Sequence, residues 1–509
     1  MVALSEVIAV IHNTIHIRRK NLNVFPGLIL LLMTQWHGMA TREQRLLVHC
    51  RRLITQGEFM CKRYPGLLLL MVLSACASAG DSQQQNTHLQ TPLTTQTVVV
   101  DINDVTPISP YFYGQNYWNW VRQWQAVIEK TREPVAAMGV QLLRAGGINN
   151  DKNNYGVEFL DKPEPFDKTR IAEYIDYTRA IGAAPLLQLS LLHDVDGSPA
   201  TVESALATLD TFHKLSGRYP PFVSIGNEPD MYVESGDRAA GFDPADSCES
   251  FARFATAIRK HAPDVKIVGP DLAWKYYEGN DWLSPFLKRC AEYLDVVTLH
   301  RYPFKSEQAS LSAAFADGEK FRALIKTLRQ TLADHGAADK KLAFTEANIA
   351  WDASNTQNSA SPSTFGAALW TAETMAVALE EGVWNLSFWH ISDGEQDHPW
   401  KLGFFQGAKP RPAALVYKLL ADNFRTEMYR VSKPIDEAAV FAGANGDTRA
   451  LLAINKTEHS QPFTVRGFTK RDHKVELAPQ SLYLLQINTL TGQQKVIRYA
   501  GEVRDGFLD

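Results

Sequence analysis

Two glutamates stand where a carboxylate can do chemistry. Glu228 lies in Ser-Ile-Gly-Asn-Glu-Pro-Asp (224–230) and Glu346 in Ala-Phe-Thr-Glu-Ala-Asn (343–348), each directly after a short apolar run. Two carboxylates that face one cleft can divide acid–base and nucleophilic work, because one can give a proton to a leaving oxygen while the other attacks carbon. The first motif also has a structural interpretation, because Asn-Glu-Pro is a common start of a helix.

Further polar and aromatic residues close other apolar runs. They are Asn116 and Trp118 after the first run, Arg144 in Leu-Leu-Arg-Ala-Gly-Gly after the second, His300 and Tyr302 in Leu-His-Arg-Tyr-Pro after the sixth, and Trp389 at the end of the eighth. Taken singly, Arg144 could be a structural ion-pair partner, His300 a core histidine and Trp389 ordinary packing. Their joint order along the chain favours one shared site.

Eight apolar runs alternate with amphipathic stretches between residues 111 and 420. The runs cover 111–116, 140–145, 184–190, 222–226, 265–269, 296–300, 342–345 and 384–389. Buried parallel strands between helices give this pattern, and eight repeats predict a (β/α)₈ TIM barrel, in which active sites form at the C-terminal ends of the strands. A doubly wound sheet is less favoured, because no Gly-rich phosphate loop follows the first strand.

The chain changes character after about residue 424. Short alternating segments separated by Gly, Asn and Asp predict a C-terminal β-sandwich over 425–509. The catalytic barrel is assigned to 98–424, and its first strand, 98–102, is expected to join the sandwich.

The segment 60–76, Met-Cys-Lys-Arg-Tyr-Pro-Gly-Leu-Leu-Leu-Leu-Met-Val-Leu-Ser-Ala-Cys, has the order of a secretory signal. It resembles the bacterial lipoprotein signal, in which Cys76 would carry the lipid and anchor the protein to a membrane. Residues 1–59 are interpreted as a non-native extension and residues 77–97, rich in Ser, Gln and Thr, as a flexible tether. The resemblance places the protein in the cell envelope, as an outer-membrane lipoprotein or at the periplasmic or extracellular face.

The charge of the chain limits the classes of binding partner, and its cysteine content limits the possible disulfide bonds. The 509 residues carry a net charge of −4; residues 1–75 hold nine basic and three acidic side chains, so the remaining 43 basic and 53 acidic side chains give −10. This balance disfavours nucleic acid and other polyanions. In an oxidising compartment Cys248 and Cys290 could pair or stay as separate buried thiols.

The motifs resemble those of clan A glycoside hydrolases. The resemblance implies that Glu228 is the general acid/base, Glu346 the nucleophile and Asn227 a ligand of the sugar 2-hydroxyl. It also implies that Arg144 and Tyr302 support Glu346, with His300 beside them, and that Trp389 stacks on the sugar. Asn116 and Trp118 are further candidates for the wall of the sugar-binding subsite. Among the families, family 44 is most similar, with 39, 51 and 79 as neighbours, although Arg144-Ala145-Gly146-Gly147 departs from the Arg-Trp-Gly-Gly of family 44.

The sequence therefore predicts a retaining enzyme that cleaves β-glycosidic bonds of a polysaccharide or oligosaccharide, in the manner of an endo-β-glucanase or xylanase. An exo-acting β-xylosidase or β-glucuronidase, an inverting hydrolase, and a non-catalytic glycan-binding lipoprotein are the alternatives. No cofactor or metal site is predicted: His193-Asp194-Val195-Asp196-Gly197 is interpreted as a solvated turn, and a monomer is expected.

Overall fold

The computed structural model describes residues 96–117, 128–154, 165–352, 360–394, 401–435 and 437–500. The predicted signal, tether and lipidation site at Cys76, as well as Trp118, lie outside this part of the chain. The described residues belong to one compact unit, Thr94–Asp509. None of the helices in these ranges has the length and apolar character needed to cross a membrane.

The eight predicted strands form a closed barrel, and the predicted fold class is confirmed. All neighbouring strands in it run parallel. After an outer strand β1 (Gln96–Pro107), the barrel strands are β2 (Tyr113–Tyr117), β3 (Leu142–Ala145), β4 (Ala184–Leu189), β5 (Phe222–Ile225), β6 (Lys266–Leu272), β7 (Val296–Arg301), β8 (Lys341–Ala347) and β9 (Asn385–Phe388).

Helices connect these strands. They are α1 (Arg132–Met138), α2 (Ile148–Asp151), α3 (Lys168–Ile181), α4 (Val202–Ser216), α5 (Pro244–His261), α6 (Leu283–Cys290), α7 (Leu311–Asp334), α8 (Phe365–Glu380) and α9 (Pro412–Asn423). Their starts follow local sequence: Asp243 accepts hydrogen bonds from the backbone N–H groups of Ala245 and Asp246, and Pro244 occupies the first position of α5.

A disulfide bond joins Cys248 on α5 to Cys290 on α6. The two cysteines had been left by the sequence as either a pair or two separate thiols. The bond ties together the helices that follow β5 and β6 in the chain.

The C-terminal residues form one eight-stranded sheet. Three short strands, β10 (Ser392–Asp393), β11 (Phe405–Gln406) and β12 (Lys409–Pro410), precede α9. The sheet then comprises β1 with β13 (Glu427–Lys433), β14 (Ala438–Asn445), β15 (Thr448–Asn455), β16 (Gln461–Arg466), β17 (His473–Leu477), β18 (Ser481–Asn488) and β19 (Gln494–Tyr499). Because β1 pairs with β13 and β16, the segment before the barrel joins this sheet.

Alternate residues of β15 face two different cores. Leu451 and Ala453 pack in a core of the sheet's own, whereas Leu452 and Ile454 pack in the core shared with the barrel helices. Since successive side chains of a strand point to opposite faces, one face of the sheet covers the barrel, where α8 and α9 contact β14. β17 also contacts β15 and β18 without pairing with them, so the sheet folds over its second core in the manner of a sandwich.

Candidate active site

Glu228 and Glu346 lie at the C-terminal ends of β5 and β8, on the same face of the barrel. An oxygen of each carboxylate and a ring nitrogen of His300 all lie within 4.8 Å of one another. This proximity arises from the fold, because the two glutamates belong to strands that are not neighbours in the barrel.

The backbone at Glu228 is held in an unusual conformation. Glu228 has a φ of 52°, and Asp271 at the end of β6 has a φ of 53°. The left-handed region costs a residue with a Cβ about 1 kcal/mol or more. The N–H of Glu228 donates to the carbonyl of Asp271 at 2.9 Å, so each strained residue supports the other. Pro229 opens a single 3₁₀ turn, but the Glu228 side chain does not cap it and stays available.

Glu346 receives two strong donors. Arg144 Nη1 donates to Oε1 at 2.7 Å, and the Tyr302 hydroxyl donates to Oε2 at 2.8 Å. The Glu346 side chain is 7% exposed. Charge-assisted hydrogen bonds of this kind stabilise the ionised carboxylate, which suits a group that has to attack carbon. The contacts that the resemblance implied for Arg144 and Tyr302 are therefore present.

Arg144 is the centre of a buried network. Besides Glu346, its guanidinium donates to Asn116 Oδ1 at 3.0 Å, Gln188 Oε1 at 3.1 Å, Asn227 Oδ1 at 2.8 Å and Asp271 Oδ2 at 3.1 Å. Although burial by itself lowers the pKa of Arg144, the two carboxylates outweigh burial and raise it above its ordinary value. A fixed cation is thereby maintained under the nucleophile candidate.

His300 links the two carboxylates. Its Nδ1 lies 2.8 Å from Glu228 Oε1 and 3.7 Å from Glu346 Oε2. Burial lowers the pKa of His300, but the charges of Glu346 and Glu228 outweigh burial and raise it. Burial beside the same two carboxylates also raises the pKa of the Tyr302 hydroxyl, which therefore stays a proton donor.

Trp389 is partly exposed, whereas Asn116 is fully buried. Trp389 is half-buried and lies against Gly147, where an added Cβ would come within 2.7 Å of the indole. Gly147 also has a φ of 107°, so this position requires glycine for both reasons. Asn116 donates to the backbone carbonyl of Thr345 at 2.9 Å and accepts from Arg144, which makes it a support of the nucleophile candidate.

Three residues of the network were missed in the sequence. Gln188 lay inside a predicted strand, where a lone polar residue in an apolar run was the available signal. Asp151 receives hydrogen bonds from the Asn227 N–H at 3.1 Å and from the Tyr232 hydroxyl. Asp271 lies beyond the predicted end of its strand at Gly269, whereas β6 continues to Leu272.

The same three groups, Glu228, His300 and Glu346, are also the one cluster among the described residues that could ligate a metal ion. The Arg144 guanidinium on Glu346 opposes a second cation there electrostatically. The turn at 193–197 is exposed apart from partly covered Asp194, and Asp196 accepts from the Ser198 N–H at 2.9 Å. A hydrogen bond of this kind is typical of a local turn.

Comparison with known proteins agrees with this geometry. Residues 198–364, which include both glutamates, His300 and Tyr302, match the family model described as glycosyl hydrolase catalytic core. The search of curated protein sequences gives no match.

Similar solved structures share the fold at low sequence identity. CelM2, a bifunctional glucanase-xylanase from a metagenome library, is 15% identical with a TM-score of 0.58, over 77% of this chain and 99% of that one. The family 51 α-L-arabinofuranosidase AbfB of Bifidobacterium longum is 15% identical with a TM-score of 0.57, over 72% and 87%. A monomeric β-xylosidase from Caulobacter crescentus is 19% identical with a TM-score of 0.52, over 73% and 83%.

The family match therefore covers the segment that bears both carboxylates, and the barrel has the fold of these glycosidases. These findings agree with the predicted enzyme class, a glycoside hydrolase, over residues 198–364, and with the predicted TIM-barrel fold.

Proposed function

We propose that the protein is a retaining glycosidase that cleaves β-linked glycans by double displacement. The observation that carries the proposal is the approach of a Glu228 oxygen to a Glu346 oxygen within 4.8 Å. Retaining enzymes hold their carboxyl groups about 5 to 5.5 Å apart, whereas inverting enzymes need about 6.5 to 9.5 Å to admit a water molecule.

The roles follow from the surroundings of each carboxylate. Glu346, which accepts hydrogen bonds from Arg144 and Tyr302, attacks the anomeric carbon and displaces the leaving oxygen. Glu228, whose side chain is 25% exposed, gives that oxygen a proton. Glu228 then takes a proton from water, which attacks the glycosyl-enzyme, so that two inversions give net retention.

Asn227 and Trp389 are assigned to the sugar. The Asn227 Oδ1 accepts from Arg144, which directs its amide group away from the guanidinium and towards a substrate hydroxyl. The half-buried Trp389 ring offers an apolar face to a pyranose. Such polar and aromatic contacts orient a ligand in a largely preformed site.

The test uses sodium azide with two variants, Glu346→Gly and Glu228→Ala, on a panel of aryl β-D-glucosides, β-D-xylosides, β-D-glucuronides and α-L-arabinofuranosides. The panel covers sugars acted on by the similar structures as well as the exo-acting alternative. We expect azide to restore turnover in both variants, with a glycosyl azide of inverted anomeric configuration from Glu346→Gly and of retained configuration from Glu228→Ala.

Two outcomes would contradict the proposal. An inverted first-formed sugar from the unmodified enzyme, measured by NMR, would indicate an inverting hydrolase. Binding of a polysaccharide without hydrolysis across aryl glycosides and polysaccharides would favour the glycan-binding lipoprotein.

Attachment to the outer membrane through Cys76 is part of the proposal and is supported by the sequence of residues 60–76. Replacing Cys76 with Ala should move the protein from the membrane pellet to the soluble fraction and abolish labelling by a radioactive fatty acid. Unchanged membrane association of Cys76→Ala would exclude this anchor.

A further inference from the structure

Trp274 is an exposed ring in the loop that follows β6, on the face of the barrel that carries both carboxylates. It keeps 38% of its surface exposed, and among the described residues Trp351, 51% exposed, is the other strongly exposed aromatic residue. Exposed aromatic surface is costly in water and often serves recognition. The contacts that hold Trp274 distinguish it from an ordinary exposed ring.

Asp230 fastens this loop to the segment of the proposed acid/base. Its buried carboxylate accepts hydrogen bonds from three successive backbone N–H groups, those of Ala273 at 2.9 Å, Trp274 at 3.1 Å and Lys275 at 2.9 Å. Asp230 is two residues after Glu228. The carboxylate therefore fixes the backbone under Trp274 relative to Glu228.

Two side-chain contacts reinforce the attachment. The Trp274 indole N–H lies 3.0 Å from Met231 Sδ, in the 3₁₀ turn that begins at Pro229. Lys275 Nζ donates to the Asp230 carbonyl at 2.6 Å and pairs with Glu234. The indole is thus held by the Glu228 segment at its polar edge while part of the ring remains open to solvent, as a preorganised platform requires.

The position of the platform determines what it can bind. In the proposed mechanism Glu228 protonates the leaving oxygen, so groups fixed to the Glu228 segment lie on the leaving-group side of the scissile bond. An aromatic ring there suits the apolar face of a sugar. We propose that Trp274 forms a leaving-group sugar subsite, and that the substrate is a glycan whose leaving group is itself a sugar.

This inference rests on the proposed function, and the test separates the two. The variant Trp274→Ala is compared with the unmodified enzyme on two kinds of donor with the same glycosyl group: β-linked xylo- and cello-oligosaccharides, and β-D-xylosyl and β-D-glucosyl fluorides. The fluoride donors have no sugar on the leaving side. We expect kcat/KM for the oligosaccharide to fall about tenfold or more and that for the fluoride to change less than about twofold, since only the former loses a contact.

A second measurement follows the reverse use of the same subsite. With a glycosyl fluoride as donor and xylobiose or cellobiose as acceptor, the ratio of transfer to hydrolysis should fall about tenfold in Trp274→Ala. Trp274→Phe keeps a ring and should retain most of both activities. Trp351→Ala is the matched control, because it removes another exposed indole, one that Asp230 does not hold, and it should leave the oligosaccharide-to-fluoride ratio unchanged.

The outcomes are distinct. Equal losses of Trp274→Ala on oligosaccharide and fluoride would overturn the subsite and indicate a general change of the barrel mouth; an unchanged oligosaccharide rate would also overturn it. A loss on the oligosaccharide with an unchanged ratio of transfer to hydrolysis would overturn it as well and indicate a role in positioning Glu228, because a fluoride leaving group needs little help from a general acid. If the unmodified enzyme acts neither on these donors nor on any member of the aryl glycoside panel, the proposed function fails and the subsite with it. If the unmodified enzyme is active but Trp274→Ala leaves the oligosaccharide-to-fluoride ratio unaltered, the subsite alone is disproved.

Discussion

Two of the regions that bury a carboxylate beside a cation, the barrel mouth and the junction of barrel and sheet, differ in almost every other respect. At the barrel mouth Arg144 holds Glu346 and Asp271. At the junction of barrel and sheet, Lys456 after β15 pairs with Glu373 on α8 and donates to the Phe315 carbonyl at 3.0 Å. Charge burial alone therefore does not identify a catalytic site.

The number of converging groups distinguishes the regions. Each of seven barrel strands, β2 to β8, ends in or beside a polar member of the mouth network: Asn116, Arg144, Gln188, Asn227, Asp271, His300 and Glu346. At the junction one lysine faces one glutamate, and Gly318 of α7 lies so near that an added Cβ would come 2.2 Å from the Glu373 carboxylate. The mouth is arranged for a reacting molecule, whereas the junction is closed by packing.

The largest expected effect separates activity from stability at the mouth. Glu346→Gln keeps the shape of the side chain and an acceptor for Arg144, but it removes the nucleophile. We expect kcat to fall by at least about 10³-fold, while the melting temperature shifts by only a few degrees because Arg144 keeps Asp271 as an ionic partner. Steady-state kinetics and calorimetry measure the two quantities. Unfolding of Glu346→Gln at ordinary temperature would mean that the mouth, like the junction, is primarily structural.

The second prediction concerns Glu373. Burial raises the pKa of its carboxyl group to about 7 from the ordinary 4.5, although Lys456 opposes the change. Because the folded state holds this proton more tightly than the unfolded state, the contribution to stability is complete below pH 4.5 and is lost as the pH rises to about 7. In Glu373→Gln this slope of stability against pH should disappear. The difference in free energy of unfolding between the unmodified protein and the variant should therefore change by about 3 kcal/mol between pH 4.5 and about 7.

Chemical denaturation at a series of pH values measures that difference. kcat of Glu373→Gln should stay within about twofold of the unmodified enzyme at a temperature where both are folded. Glu346→Gln is the reciprocal control, since it should lose activity and keep the slope. A slope that is unchanged in Glu373→Gln would show that another group carries it.

The sequence predicted the barrel and its paired carboxylates because both depend on local signals. Apolar runs of strand length, each closed by a polar residue, placed Glu228, Glu346, Arg144 and His300 on one face before any contact was known. The ends of β6 and β8 were less well placed: the predicted runs stop at Gly269 and Thr345, whereas the strands continue to Leu272 and Ala347. A run that contains Gly269-Pro270 or ends in Thr345-Glu346 does not resemble a buried strand.

What the sequence could not supply was the partner of each group. Asp271 and Gln188 contact Arg144 only because the barrel closes, and no spacing along the chain encodes that contact. The Asp230 carboxylate likewise follows Asn-Glu-Pro as one more acidic residue, and its three backbone donors come from a different loop. Contacts between distant segments are a property of the closed fold.

The smallest expected effect concerns Asp271 as a positioning residue of the mouth. Asp271→Asn keeps an acceptor for either Arg144 or Thr345, whose hydroxyl donates to Asp271 Oδ1 at 2.6 Å, but it removes a negative charge from the network. Arg144 is then balanced by Glu346 alone. We expect kcat to fall about tenfold, KM to change less than about threefold, and the acidic limb of the pH profile of kcat/KM to move to lower pH.

Asp317→Asn provides the matched control for that variant. Asp317 on α7 is a buried carboxylate that Arg301 contacts at 2.7 and 2.8 Å, and it makes no contact with Arg144. Its replacement should lower the melting temperature and leave the acidic limb in place. If both variants moved the acidic limb of the pH profile equally, the effect would reflect a general loosening of the barrel. A shift confined to Asp271→Asn would mean that the buried charge of Asp271 acts through Arg144 on the reacting carboxylates. No charge at the junction does so.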